Sequence, residues 1–383
     1  MRIIKYELSK IFSFPMVPIF VILCLLVNLG TVFLQVLNEP SALAYVNDVS
    51  NFTKEHGAYI TDELMAALEQ SDDQNLDRLN KELSEIEPEF LGFDFDRMEA
   101  QYFEEISSSP AAINLQTAKF SAAKERYQSL LEQNADKSIL AAEETGCVYS
   151  FLFGKLLMFL SAEGCVVTVI VLALVLHYEK LSRTENYLAA TKTGRSLIFY
   201  KAAAGSVCSL VLHCVITAIT LSVYFSIWDF SGIWDANVSS SFNFVDDGFL
   251  EKPFITWKSF TVSEYLAATL CMTLVLLIIT ALFTMIVCSL IDNTYFALAF
   301  ILLFAVFSIA GARILPQLGF QVPYLISMYN PVNLWRGQPL WFSEGGIDFA
   351  GKWFETIGAG TSLAVLILIS IPTFRHVHRK DIK

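Results

Sequence analysis

Few side chains in this sequence are spaced for chemistry. The five histidines are His56, His177, His213, His376 and His378. Only the last two are close, and at i, i+2 they do not face each other on a helix. The seven cysteines (Cys24, Cys147, Cys165, Cys208, Cys214, Cys271 and Cys288) form no metal-ligand spacing and read as small apolar packing residues. Thr193-Gly194-Arg195-Ser196 looks like the tail of a phosphate loop, without its glycine spacing and lysine. No G-x-S-x-G elbow is present. What stands out instead is a set of polar residues inside apolar runs: Asn28, Glu163 and His213. Ionisable groups in such runs are expensive and point to function. Glu163 falls about a third of the way into its run.

Those runs must be long helices. Of 383 residues, 54% are hydrophobic and only 17% charged, and the mean hydropathy is +0.51. A soluble domain is nearer about 25% charged, and disorder needs far lower hydrophobicity. Six stretches are long enough to cross a bilayer, which takes about 20 apolar residues: 15–36, 156–177, 202–228, 265–291, 294–315 and 357–374. The expected fold is all-α, a polytopic six-helix membrane protein.

The net charge of −12 is uneven. Residues 37–150 hold 23 acidic and eight basic residues, a balance of −15. This stretch reads as a soluble acidic helical domain between spans one and two. Leu64, Leu68, Leu76, Leu79, Leu83 and Ile86 approximate helical spacing. Ser71 and Gln74 fit a capping box, and Ser109-Pro110 fits an N-cap with proline in first helical position. The acids read as a solvated face, or as a docking surface for a cationic peptide. An acidic chain is a poor partner for nucleic acid.

Lysine and arginine set the orientation. Residues 1–14, 178–201 and 375–383 hold twelve of them and are expected in the cytoplasm, with both termini, in a multi-pass protein of the cell membrane. The 37–150 domain and the loops 229–264 and 316–356 then lie outside. Residues 1–14 read as an amphipathic helix lying in the interface with membrane lipid. Ala42-Leu43-Ala44 offers a cleavage pattern, but the preceding apolar run is too long for a signal peptide. In 316–356, Trp335, Trp341 and Trp353 read as interfacial aromatics on short segments at the outer leaflet.

The loop 178–201 is the most informative stretch. A short helix is expected, capped near Thr184 and stopped by Gly194, with Glu185 in its first turn and Lys192 in its last. Glu179, Arg183-Thr184, Leu188, Thr191, Arg195 and Lys201 resemble the pattern of the ABC-2 class of ATP-binding-cassette permeases, with Arg-Thr where that family usually has Gly-Thr. The order of parts is similar too: a basic amphipathic segment, one span, a large external insert, then five spans. Tyr329-Asn330-Pro331 looks like the Asn-Pro element these permeases often carry.

That resemblance implies an exporter subunit without catalytic residues. ATP and Mg would be bound by a separate cytoplasmic ATPase subunit, and a second permease, the same or a related chain, would complete the assembly. The loop would be a coupling helix, meeting the ATPase through Glu185, Tyr187, Leu188 and Thr191. Arg183, Arg195 and Lys201 would hold lipid phosphates or acidic groups of the partner. Glu163, Asn28 and His213 would face the translocation path; read as residues alone, Glu163 equally fits a hydrogen-bonded pairing with a neighbouring helix and His213 a satisfied packing residue. The competing reading is a membrane-anchored sensor or immunity protein whose external domain binds a cationic peptide, such as an antimicrobial one. A secondary transporter would need paired broken helices, and a membrane-embedded hydrolase a catalytic constellation. Neither is visible.

Overall fold

The computed structural model describes residues 2–85, 90–106, 109–138, 149–182, 184, 197–240, 243–248 and 250–379. It is mainly helical, and among the described residues the one named sheet is a two-stranded hairpin, β1 (Phe244–Asp246) with β2 (Glu251–Pro253). Six helices are long and apolar enough to cross a membrane: α2 (Met16–Asn38), α8 (Tyr149–Leu176), α10 (Leu197–Ile227), α11 (Val262–Leu290), α12 (Thr294–Gln317) and α15 (Phe354–Arg379). They are numbered here with α1 (Arg2–Ser13), α3 (Pro40–His56), α4 (Asp62–Glu69), α5 (Gln74–Glu85), α6 (Phe95–Glu105), α7 (Pro110–Glu132), α9 (Tyr178–Leu181), α13 (Gln321–Ser327) and α14 (Pro331–Arg336).

The second span begins earlier than its apolar run. Tyr149, Leu152 and Phe153 are buried, and a π turn over Leu152–Leu156 carries the helix past Lys155. Glu163 therefore lies near the middle of α8 rather than a third of the way in.

The insert comprises α3 to α7, and its helices start where side chains can cap them. The Thr61 hydroxyl accepts from the Leu64 amide and Ser109 from Ala112, with Pro110 in the first turn. At α5 the cap is Asp73, whose Oδ1 accepts from the amides of Asn75 and Leu76. Ser71 instead accepts from the Asp73 amide, so the expected Ser71–Gln74 box is displaced by an Asx turn. A core of Phe90, Phe95, Met98, Tyr102, Phe120, Ala123, Tyr127 and Leu130 joins α6 and α7.

The loop 316–356 is held by the protein itself. Trp335 Nε1 donates to the Met158 carbonyl (2.9 Å), and the fully buried Trp341 donates to the Leu334 carbonyl (3.0 Å). The first ring ties the loop to α8; the second is buried within the loop itself, away from the interfacial setting expected for it. Asn330 caps α14 through the amides of Val332 and Asn333, with Pro331 at its first position.

Candidate functional site

Three polar clusters connect the elements. The first lies on the face where α1, the end of α8 and the start of α10 meet. Lys10 Nζ is 2.7 Å from Glu7 Oε1 and 3.0 Å from Glu179 Oε1, and Lys201 pairs with the other Glu179 oxygen. None of the four is more than 8% exposed. Two acids and two bases make the node neutral, which is what lets charges stay buried. Lys10 also lies 4.8 Å from the ring centroids of Tyr6 and Tyr178, and Phe14 meets Tyr178 edge to face.

The ties continue outward. His177 Nε2 is 3.1 Å from the carbonyls of Cys288 and Ile291. Both partners are acceptors, so Nε2 carries the proton. Lys180 pairs with Asp292 in the turn between α11 and α12 (2.6 Å). Phe199 and Phe374 bring the far end of α15 to the same face. The chain entering the loop is pinned as well, with the Thr184 amide bound to the Glu179 carbonyl.

Lys201 was expected to meet lipid phosphate or an acidic partner. Its acidic group is Glu179 of its own chain, and the burial of the pair withdraws it from the surface. The expected contact residues Arg183, Glu185, Tyr187, Leu188, Thr191 and Arg195 lie outside the described residues. What the structure adds is the frame at both ends of that loop.

The second cluster is inside the spans. Asn28 of α2 donates through Nδ2 to Glu163 Oε2 of α8, 2.7 Å away, and Cys24 hydrogen-bonds the same carboxylate. His213 of α10 packs its ring on Gly164, where a Cβ would come within 2.5 Å of Nδ1. Glycine is what allows α8 and α10 to approach here. Its Nε2 lies 3.4 Å from Thr217 Oγ1. Asn28 and Glu163 are thus in contact, with His213 against the adjacent residue.

The third cluster joins the insert to the loops on the opposite face. Lys119 of α7 donates to the carbonyls of Gly346 and Phe349, and Gln116 donates to that of Ile347 (2.7 Å). Lys252 of β2 pairs with Glu344 and with Asp247 (3.2 Å), and Tyr102 donates to Asp247 (2.5 Å). Tyr324 donates to Asp348. Burial, reinforced by the Lys252 charge, holds the Lys119 ammonium well below the usual lysine range. Burial also pulls Lys252 down to about 8, opposed by Asp247 and Asp348, and pushes the Asp348 carboxyl up. Neither lysine is announced by sequence spacing. The one available signal was a cation in a strongly acidic stretch.

Among the described residues no group of three or more His, Cys, Asp and Glu side chains is placed to hold a metal. The fold and these clusters define a multi-pass membrane protein with a helical insert between its first two spans. Compared with family models, curated proteins and solved structures, the chain matches none of them.

Proposed function

We propose that this chain is the membrane subunit of an exporter of the ABC-2 type. ATP hydrolysis, with its Mg, takes place on a separate cytoplasmic ATPase that docks on residues 183–196. The observation that carries the reading is the buried node Glu7–Lys10–Glu179–Lys201. It fixes both ends of the loop to each other and to α1, and its neighbours His177 and Lys180 fix them to α11 and the turn after it. A loop hung on a rigid frame passes a push from below into several spans at once. A flexible linker dissipates it.

The test is affinity purification in mild detergent, comparing wild type with Leu188→Asp. A charge on the docking face is expected to remove a co-purifying ATPase and its ATP turnover while the variant still inserts in the membrane. If no ATPase accompanies the wild-type chain, or if Leu188→Asp retains it in full, the reading fails.

A further inference from the structure

We propose that the seam between α2 and α8 binds the ammonium group of a lipophilic amine, with Glu163 as counter-ion and Asn28 as second acceptor. Glu163 is half-buried near the middle of α8. Four residues before it stands Phe159 and three after it Val166, which are 44% and 43% exposed. This i−4, i, i+3 spacing sets all three on one stripe of the helix. The stripe faces out of the bundle, so the carboxylate opens toward whatever surrounds the spans rather than toward the core.

Among the described residues no lysine or arginine pairs with it. The described lysines and arginines of the six spans (Lys155, Lys201, Arg313, Arg375 and Arg379) all stand near helix ends. Lys201 is already paired with Glu179. His213 lies on the Gly164 side of α8, about 100° further round the helix, and pairs with Thr217. Hydrocarbon offers no counter-charge at mid-depth. A second copy laid on the same stripe would bring the same acid.

Asn28 supplies the other half of the site. Its Nδ2 is committed to Glu163, while its Oδ1, on the same amide, is fully buried and has no donor. A buried carbonyl oxygen without a donor is costly. A carboxylate flanked by a free amide oxygen lacks one thing, a group with several N–H donors and a positive charge. A primary ammonium provides both, and its alkyl tail has the exposed stripe of Phe159 and Val166 to lie against. That such an amine is cargo rests on the exporter reading. The binding itself does not.

The experiment uses the full chain in phosphatidylcholine nanodiscs, without ATPase or nucleotide, and radiolabelled dodecylamine, with dodecanol as the uncharged control. Partition into lipid is removed by comparison with empty discs of the same lipid, and Glu163→Gln is a variant of the same shape that can still contact Asn28. Wild-type discs are expected to bind dodecylamine saturably, with about tenfold weaker binding in Glu163→Gln. Glu163→Asp keeps the charge and is expected to retain binding within a few-fold. Equal binding by wild type and Glu163→Gln, equal binding of dodecanol, or no saturable binding overturns the site. Failure here leaves the ATPase co-purification test untouched, and failure there leaves this one untouched.

Discussion

Lys119 of the insert donates to the backbone carbonyl of Phe349, 2.8 Å away and 230 residues along the chain. Phe349 stacks on Phe354, the first residue of α15. The insert is therefore joined to the last span through one buried ammonium and one stacked ring. The turn between them carries Gly345 and Gly346, both at positive φ, a conformation that glycine adopts without strain. A Cβ on Gly346 would also press on Asp247 of the same cluster.

Replacing Lys119 with Met tests this joint. The substitution fills the space but leaves the Gly346 and Phe349 carbonyls without their donor, and leaves Glu344, which is 3.9 Å from Lys119, with Lys252 as its remaining cation. Breaking a buried ionic contact of this kind costs about 3 kcal/mol or more. We expect a lower unfolding midpoint for the insert and faster amide exchange across 343–349, with the exchange of α12 unchanged. Wild-type protection of 343–349 in the variant would show that the insert is not held by Lys119.

The same cluster predicts a pH dependence with a definite sign. Lys252 titrates near 8 in the folded protein, against about 10.4 in an unfolded chain. Between those values the unfolded chain binds more protons, so stability rises with pH, by at most about 1.4 kcal/mol per unit from this group. Below about 8 both states are protonated and the contribution is flat. In thermal unfolding between pH 8 and 10, followed by tryptophan fluorescence, the wild type should gain stability and Lys252→Met should gain less. Removing Lys252 also lifts its repulsion of Lys119, which reduces the rise further. Identical slopes in the two proteins would exclude Lys252 as the source.

What the sequence revealed and what it hid divide along physical lines. Apolar length is a local property, so the six long helices were legible, as was the cap at Ser109, where donor and acceptor lie three residues apart. Lys155 ended the second apolar run on paper. The helix passes it because an exposed lysine near a helix end costs little there. At Ser71 the motif was matched but the aspartate two residues on reached the amides instead. Asn28, Glu163 and His213 were visible as oddities in apolar runs. That Asn28 meets Glu163, across 135 residues, was not visible. The lysines were the least legible. Lys10, Lys119, Lys201 and Lys252 look like surface cations in a list of residues, and each is buried against carboxylates or carbonyls brought from distant segments.

Glu179 is the residue on which the first node depends, since it alone touches both lysines. Glu179→Gln keeps its size and removes its charge, leaving Lys10 and Lys201 with Glu7. Lys201→Met removes the lysine at the start of α10 and leaves Glu179 to Lys10. Each change breaks a buried pair and should cost about 3 kcal/mol. Because they act on one network, the double variant should lose less than their sum, with a coupling of about 1 to 3 kcal/mol. The local readout is hydrogen exchange of α1, whose Lys10 is held by Glu179. Its amides should exchange faster in Glu179→Gln, and faster than in Lys201→Met, where the Lys10 contact survives. An α1 equally protected in wild type and Glu179→Gln, or additive losses in the double variant, would mean that the four charges are neighbours without being a frame. The support they lend to the proposed coupling loop would then be gone.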